Sequence, residues 1–268
     1  SSFYENILNY KSFYFRHNTD AHLIDGNYKS KLINKLVNFL AKKIICVSSA
    51  VKYHLIHQEK VDSKKLYQIN YGYDFKLYHD FKSYSKNKKN KLNRNSINLI
   101  TIGRLVDLKR QILIFKLMLK LNKSKNKFNL FCLGLGANQK KLRQFIKINK
   151  LKNIFMLGYK KNILDYLKDS NILIHFSESE SFGHVVLEAA LVKKTVIVCK
   201  NVGIFNSLIN HDVDGFLVSK KNPINDTYKI LNSLNKKKIK QLGFKLHKSM
   251  IKKYHISNYE KKYLNLLK

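Results

Sequence analysis

The sequence has no tryptophan, a single proline, Pro223, and only five arginines beside a large excess of lysine. It is also rich in Asn, Ile and Tyr, which A/T-rich codons specify together with Lys. We therefore interpret most of the formal net charge of +35 as surface lysine that reflects codon bias. A nucleic-acid-binding protein would concentrate basic residues in one stripe interleaved with aromatic residues, whereas these lysines occur in every segment. The lysine excess would still attract acidic partners, including an anionic membrane face.

Cysteine is also scarce. Cys46, Cys132 and Cys199 each lie in an apolar run, and their number is odd. Their spacing fits no metal site. Free thiols in buried strands are therefore favoured over disulfides or metal ligands.

The sequence contains no apolar run near the ~20 residues that span a bilayer, and no signal-peptide pattern at its start. With 44% apolar and 12% aromatic residues, the 268-residue chain is predicted to be globular. Its length suffices for one large or two modest domains. We expect a cytoplasmic protein, and peripheral contact with the inner face of the plasma membrane is left open.

Residues 177–188, SESESFGHVVLE, carry the strongest chemical signal. Gly183 precedes an apolar, helix-compatible run, and the first turn of a helix can hold a phosphate when no side chain blocks the approach. Glu188 within the helix can accept hydrogen bonds from a ribose. Glu180 on the preceding loop can reach the hydroxyl groups of a sugar. Phosphate, ribose and sugar together indicate a nucleotide sugar.

A second signal lies in SINLITIGRLVDLKRQ, which is typical of a strand, a Gly103-Arg104 turn and a helix at the first corner of a doubly wound sheet. Arg104 and Lys109 are five residues apart around this turn. They can converge on a diphosphate at the carboxyl edge of the sheet. The later Gly134-Leu135-Gly136 turn is a weak dinucleotide signal by itself.

The N-terminal part contributes further candidates. Residues 12–16 are predicted to form a strand, and His17 follows at its carboxyl end. Residues 28–43 have an amphipathic helical period with lysines on the polar face; packing of the apolar face on a sheet is favoured over contact with a membrane surface. Ser48 or Ser49 can cap the next helix. Residues 80–95 are lysine-rich and lack an apolar period, so they are interpreted as a linker.

Taken together, these motifs resemble the large group 1 family of retaining glycosyltransferases with the GT-B fold. The shared features, in order, are the VSSA segment at 47–50, G-R-L with a lysine five residues after the arginine, the Glu pair enclosing Phe182-Gly183, and D-G-F-L-V at 214–218. The resemblance implies an α/β fold of GT-B type, with one complete Rossmann-like donor domain and a partial N-terminal Rossmann-like domain.

The resemblance also implies a domain layout. Residues 1–79 form the C-terminal part of the N-terminal, acceptor-side domain, and residues 80–95 the interdomain linker. Residues 96–245 form the nucleotide-sugar donor domain, and residues 246–268 a C-terminal helix returning to the first domain. The family's first domain is normally longer, so we expect either a fragment of a longer protein or a shortened, inactive relative. The start without Met favours the fragment.

The resemblance assigns roles as well. Arg104 and Lys109 would neutralise the diphosphate, Glu180 would face the donor sugar and Glu188 would bind the ribose. Backbone contacts with the donor would come from glycines and their neighbours, and His17 would lie near the sugar. No metal is expected, and Asp212-Val213-Asp214 is interpreted as an ordinary turn. The positions given backbone or cofactor-binding roles besides Glu188 are Phe182, Gly183, Gly103 and Gly136.

The implied activity is transfer of a sugar from a nucleotide diphosphate sugar to a glycan or lipid-linked acceptor, as in cell-surface polysaccharide synthesis. The alternative is a catalytically inactive GT-B-like binding or scaffold protein. Intact Arg104, Lys109, Glu180 and Glu188 argue against that alternative. Several positions depart from the family pattern: Arg110 and Lys193 replace glycines, and further changes occur at Leu135, Thr195, Ile204, Asn206 and Ser207.

Overall fold

A computed structural model describes residues 13–17, 28–75 and 96–267, which form two compact units. The first unit comprises the described residues up to Gly72 together with Glu180–Phe182 and the chain from Ile256. The second comprises the described residues of Tyr73–Ser179 and Gly183–His255. The predicted linker, residues 80–95, lies outside the described residues.

The first unit contains a parallel sheet of strands β1 (Phe13–Arg16), β2 (Lys43–Cys46) and β3 (Leu66–Gln68), in that order. Phe13 pairs with Lys43, and Ile44 pairs with Leu66. Helix α1 (Tyr28–Leu40) connects the first two strands, and helix α2 (Ser49–His57) with a short 3-10 turn connects the next two. Ser48 caps α2 by accepting a hydrogen bond from the Val51 N–H, as predicted.

Helix α1 does not place its apolar stripe on the sheet, which corrects the favoured prediction. Its large apolar residues are 58–78% exposed, and the side chains buried or half-buried on the opposite face belong to Asn34, Val37 and Asn38. The reason is Arg16, which is buried and donates hydrogen bonds to Asn38 and Glu59. A buried cation needs polar partners, so α1 turns an amide toward it. The exposed apolar residues are Leu32, Ile33, Leu36, Phe39 and Leu40.

The second unit is built on a six-stranded parallel sheet in the order β6-β5-β4-β7-β8-β9. Most of these strands are short, continuous apolar runs, as expected of a parallel sheet covered on both faces. All residues of β7 and β8 are buried. The strands are β4 (Ile97–Ile102), β5 (Phe128–Leu133), β6 (Ile154–Gly158), β7 (Ile172–His175), β8 (Thr195–Cys199) and β9 (Phe216–Val218).

Helices cover this second sheet. Helix α3 buries Ile114, Phe115 and Leu117 at helical spacing and packs against α8. Helix α9 packs against α6 and β8. The helices are α3 (Gln111–Leu121), α4 (Gln139–Ile148), α5 (Ile163–Asp169), α6 (His184–Leu191), α7 (Phe205–Leu208), α8 (Pro223–Ser233), α9 (Lys236–Tyr254) and, in the first unit, α10 (Ser257–Leu267).

The predicted boundary between residues 245 and 246 falls inside α9, which belongs wholly to the second unit. The chain passes to the first unit after His255, and α10 packs there. In this helix Tyr263 stacks on Phe15 of β1, with ring centroids 6.3 Å apart. The change of unit therefore lies about ten residues later than the sequence analysis placed it.

Candidate functional site

The second sheet has a topological switch point between β4 and β7. From β4 the chain proceeds outward through β5 and β6, and from β7 it proceeds outward on the other side through β8 and β9. Ligands of open parallel sheets bind at the carboxyl ends of the strands at such a point. Gly103 and Arg104 directly follow β4, and the loop after β7 leads to Gly183 and α6. Four predicted site residues, including Glu188 in α6, therefore lie on the two segments that flank the switch point.

Hydrogen bonds hold these two segments together. The Glu178 N–H donates to the Leu108 carbonyl at 2.8 Å, and Ser177 Oγ donates to the same carbonyl at 3.3 Å. Gln111 Nε2 donates to the Arg104 carbonyl at 2.8 Å. The Arg104 side chain remains exposed. The loop backbone is thus anchored by buried Ser177 and Gln111 while the guanidinium of Arg104 faces solvent.

Gly183 begins helix α6 with a φ of +97°, in the left-handed region. A Cβ at this position would lie 2.5 Å from Cε1 of Phe205, so close packing as well as φ requires glycine. No side chain of the described residues caps this helix. The amino end of α6 therefore presents its backbone with no capping side chain, which suits an anionic group.

Glu188 lies one turn into α6 and is half-buried. Burial raises the pKa of its carboxyl group to about 7. In the part of the chain that the structure describes, no hydrogen bond or ion pair reaches this carboxyl group. A ligand hydroxyl group that donated to it would stabilise the charged form and lower its pKa.

Gly136 was predicted to let the backbone approach the donor. In the structure its φ is +156°, and a Cβ would lie 2.5 Å from the Leu105 carbonyl oxygen. The Asn138 N–H also donates to this oxygen at 2.8 Å. The close approach that the structure records is thus between the loops after β4 and β5, and a contact of Gly136 with the donor stays a prediction.

Arg110 is a site residue whose role the sequence analysis missed. Its φ is +49°, so the backbone adopts the left-handed region that favours the glycine of the family pattern. Its guanidinium donates to the Phe176 carbonyl at 2.7 Å, to the Lys220 carbonyl at 3.2 Å and to Cys199 Sγ at 3.4 Å. These acceptors lie at or just beyond the ends of β7, β8 and β9. The replacement of glycine by arginine was the sequence signal that could have indicated these hydrogen bonds between the strand ends.

His17, Glu180 and Phe182 belong to the first unit. His17 stacks on Tyr71 with ring centroids 5.7 Å apart, and its Nδ1 pairs with the Tyr71 hydroxyl. The Phe182 ring meets Tyr71 edge-on at 5.0 Å and is 1% exposed. Ser48 Oγ donates to the Ser181 carbonyl beside it. The structure thus brings His17 and Phe182 to one tyrosine, Tyr71.

Asp212 and Asp214 form a turn, as the sequence predicted. The buried Asp214 carboxylate accepts from the Asn210 N–H at 2.8 Å and from its side-chain amide at 3.0 Å. Asp212 pairs with Lys238 at 3.6 Å. The described residues contain no group of three or more His, Cys, Asp or Glu side chains arranged for a metal ion. The expectation that no metal is used remains a prediction.

The three cysteines are free and buried, as predicted. Burial raises the pKa of the Cys132 thiol to about 12. Burial also raises the pKa of Cys46 to about 11, against the opposing effects of Lys52 and Arg16. All three thiols are therefore packing groups. In the described part of the chain, no helix is both long and apolar enough to cross a membrane.

The structure is that of an α/β protein with a candidate ligand-binding edge at the switch point of a parallel sheet. Along this edge lie cations, glycines and one carboxyl group with a raised pKa. Residues 83–254 match the family described as "Glycosyl transferases group 1". This match covers more than half of the chain. The chain therefore belongs to the group 1 glycosyltransferases.

Two curated relatives and one solved structure illustrate the similarity. An uncharacterized glycosyltransferase of Methanocaldococcus jannaschii is 25% identical over 89% of this chain and 62% of its own length. The phosphatidylinositol N-acetylglucosaminyltransferase GPI3 subunit of Saccharomyces cerevisiae is 26% identical over 85% of this chain and 52% of its own length. The chain thus spans between about half and three fifths of these relatives.

The structure of Anabaena HepE in complex with UDP-glucose matches with a TM-score of 0.79 at 21% identity. It covers 95% of this chain and 71% of that chain. At this level of identity the match concerns the fold alone. The predicted fold class, α/β of GT-B type, is confirmed.

Proposed function

We propose that the protein transfers a sugar from a nucleotide diphosphate sugar to a glycan or lipid-linked acceptor with retention of the anomeric configuration. The observation that carries the proposal is Glu188, a half-buried carboxyl group with a raised pKa and no hydrogen-bonding partner among the described residues, beside the switch point. An unpaired buried carboxyl group is costly unless a ligand satisfies it. A ribose has two hydroxyl groups that can donate hydrogen bonds to the Glu188 carboxylate.

The neighbouring groups fit the rest of such a donor. The uncapped amino end of α6 and the cations Arg104 and Lys109 suit a diphosphate. The HepE structure is a complex with UDP-glucose, which favours a uridine nucleotide as the first donor to test. Glu180 would orient the sugar, as the family resemblance implies.

Catalysis would then rest mainly on electrostatic stabilisation of the departing diphosphate. The bond between the sugar C1 and the phosphate oxygen breaks, and a bond from C1 to the acceptor oxygen forms on the same face. The proton of the acceptor hydroxyl leaves with the diphosphate, whose developing charge Arg104 and Lys109 neutralise. No metal is needed for this balance.

For the acceptor, one relative is by name a phosphatidylinositol N-acetylglucosaminyltransferase, which supports a lipid-linked acceptor here. We propose accordingly that the protein is cytoplasmic and touches the inner face of a membrane through α1. Its exposed Leu36 and Phe39 could enter the interface while Lys35 meets anionic headgroups.

Vesicle co-sedimentation tests this membrane contact. The chain should bind phosphatidylcholine vesicles containing anionic phosphatidylglycerol, and Leu36→Ser with Phe39→Ser should abolish the binding. If the unchanged chain does not bind such vesicles, the membrane contact is wrong.

The donor site is tested by calorimetric titration of the chain with UDP, GDP and UDP-sugars. We expect micromolar binding of one nucleotide, reduced at least tenfold in Glu188→Ala and in Lys109→Ala. Lys147→Ala is the matched control, because Lys147 is exposed in the last turn of α4, at the opposite edge of the sheet. Equal losses in all three variants would show nonspecific charge attraction.

The alternative, a scaffold protein without catalysis, predicts a different result. If the folded chain binds no nucleotide, the proposed donor site is wrong and the scaffold alternative is favoured. Nucleotide binding lost only in the Glu188 and Lys109 variants would favour the enzyme.

A further inference from the structure

A pocket of about 420 Å³ lies in the first unit, between residues 71–72 and helix α10. This volume is within the usual range for small-molecule sites. Its lining includes three tyrosines, one carboxylate and two aliphatic side chains: Tyr71, Tyr259, Tyr263, Glu260, Ile256 and Leu264. Among the residues that the structure describes, no lysine or arginine lines it, although the whole chain has 52 of them against 17 acidic residues.

The walls of this tyrosine pocket are held in place by packing. A Cβ on Gly72 would lie 2.7 Å from the Ile256 Cα, so only glycine allows the two segments to approach this closely. Tyr259 is 8% exposed, and the Tyr263 ring stacks on Phe15. Burial raises the pKa of the Tyr71 and Tyr259 hydroxyl groups, so both are neutral at physiological pH. The pocket is therefore preformed rather than created by a ligand.

The chemistry of the lining selects among ligands. Without a cation in the wall, a phosphate or another anion would meet only the carboxylate of Glu260. Lys262 Nζ approaches the Tyr259 ring at 5.7 Å but is not part of the lining. Within the described residues the exposed Glu260 carboxylate has no hydrogen-bond or ion-pair partner, so it can accept from hydroxyl groups. Aromatic rings beside such an acceptor suit a neutral polyhydroxylated ring with apolar C–H faces.

We propose that the tyrosine pocket binds an uncharged saccharide of one or two rings and serves as a subsite for the acceptor glycan. The acceptor role rests on the proposed function, whereas saccharide binding stands on the pocket alone. An acyl chain is the competing occupant, because much of the wall is apolar. The exposed Glu260 carboxylate favours the saccharide, because it can accept hydrogen bonds from sugar hydroxyl groups, whereas an acyl chain offers it no donor.

Saturation-transfer NMR with N-acetylglucosamine and its β-1,4 disaccharide, supported by tyrosine fluorescence in this tryptophan-free chain, tests the proposal. Tyr263→Ala and Glu260→Gln should each weaken saccharide binding about tenfold. Glu260→Gln alters an exposed side chain and should fold normally. Tyr53→Ala is the control, because Tyr53 is an exposed tyrosine of the same unit that does not line the pocket.

Parallel titrations with UDP and with n-octanol separate the explanations. Saccharide binding that is lost in the pocket variants, with UDP binding unchanged, supports the proposal. Saccharide binding without any UDP binding would contradict the proposed donor site and would still support saccharide binding by the tyrosine pocket. No saccharide binding, binding unaffected by both pocket variants, or octanol binding in its place would overturn the pocket assignment.

Discussion

The two units treat a buried carboxyl group in opposite ways. In the first unit, burial alone raises the pKa of Glu59, but polar contacts from His54, Arg16 and Asn38 lower it to about 2. In the second unit, burial raises the pKa of Glu188 to about 7, and no other described residue compensates for it. A satisfied carboxylate is part of the structure, whereas an unsatisfied one is a candidate for binding. The comparison supports the proposal that the nucleotide site lies in the second unit.

Two helices, one from each unit, also differ in whether their apolar residues are buried. Helix α3 places its apolar stripe in the core, with Leu117 fully buried. Helix α1 has a similar apolar period but leaves Leu36 58% exposed. Helix α3 thus buries most of its apolar stripe, whereas α1 leaves its apolar stripe exposed, as surfaces that bind a partner or a membrane do.

Substitution of one leucine in each helix tests this difference and should give the largest change in the free energy of unfolding. Leu117→Ala should lower the free energy of unfolding by about 2–5 kcal/mol through loss of buried contacts. Leu36→Ala should change it by less than about 0.5 kcal/mol. Urea unfolding followed by hydrogen exchange in peptides of each unit measures both. A large cost for Leu36→Ala would mean that the stripe is already covered.

Glu59→Gln should destabilise the first unit at neutral pH by up to about 3 kcal/mol, because the fall of the Glu59 pKa from 4.5 to about 2 reflects interactions with the charged form. This stability is present above pH 4.5 and is lost as the pH falls toward 2. The difference between the variant and the unchanged chain should therefore shrink in acid. Glu178→Gln, at an exposed ion pair with Lys220, should have little effect at any pH.

Glu188→Gln should have the opposite sign. Since the folded-state pKa is raised from 4.5 to about 7, charging Glu188 destabilises the folded protein as the pH rises through this interval. The variant should be more stable than the unchanged chain by up to about 3 kcal/mol above pH 7, and equally stable below pH 4.5. Denaturant unfolding at several pH values measures this. A variant less stable at pH 8 would show that Glu188 has a structural partner.

Arg110 offers the smallest and most specific test. Arg110→Ala keeps the left-handed backbone and removes three hydrogen bonds, which should cost about 1–3 kcal/mol. Arg110→Gly removes the same bonds but relieves the backbone, so it should cost about 1 kcal/mol less. The difference in thermal stability between the two variants measures the cost of the left-handed backbone at residue 110. Equal stability of the two variants would mean that the backbone at this position carries no cost.

The sequence predicted the elements of the site because loops at the carboxyl ends of parallel strands follow from chain order. The positions of Gly103, Arg104, Gly183 and Glu188 beside the carboxyl edge were predicted in this way, and their roles in binding stay predictions. The orientation of α1 was not predictable, since an apolar period does not reveal that a buried arginine on the neighbouring strand requires an amide. Contacts between residues distant in the chain, such as His17 with Tyr71, depend on tertiary packing that one sequence does not show.

The most direct test of the donor site is proton release on UDP binding at pH 7, measured by calorimetry in buffers of different ionisation enthalpy. If the ribose donates hydrogen bonds to Glu188, its pKa must fall on binding, and about half a proton per site should be released. Glu188→Gln should release about half a proton less than the unchanged chain, because any protons that the diphosphate loses to the nearby cations are released by both proteins. Equal proton release by the two proteins, or UDP binding with no proton release by the unchanged chain, would contradict the assignment of Glu188 to the nucleotide.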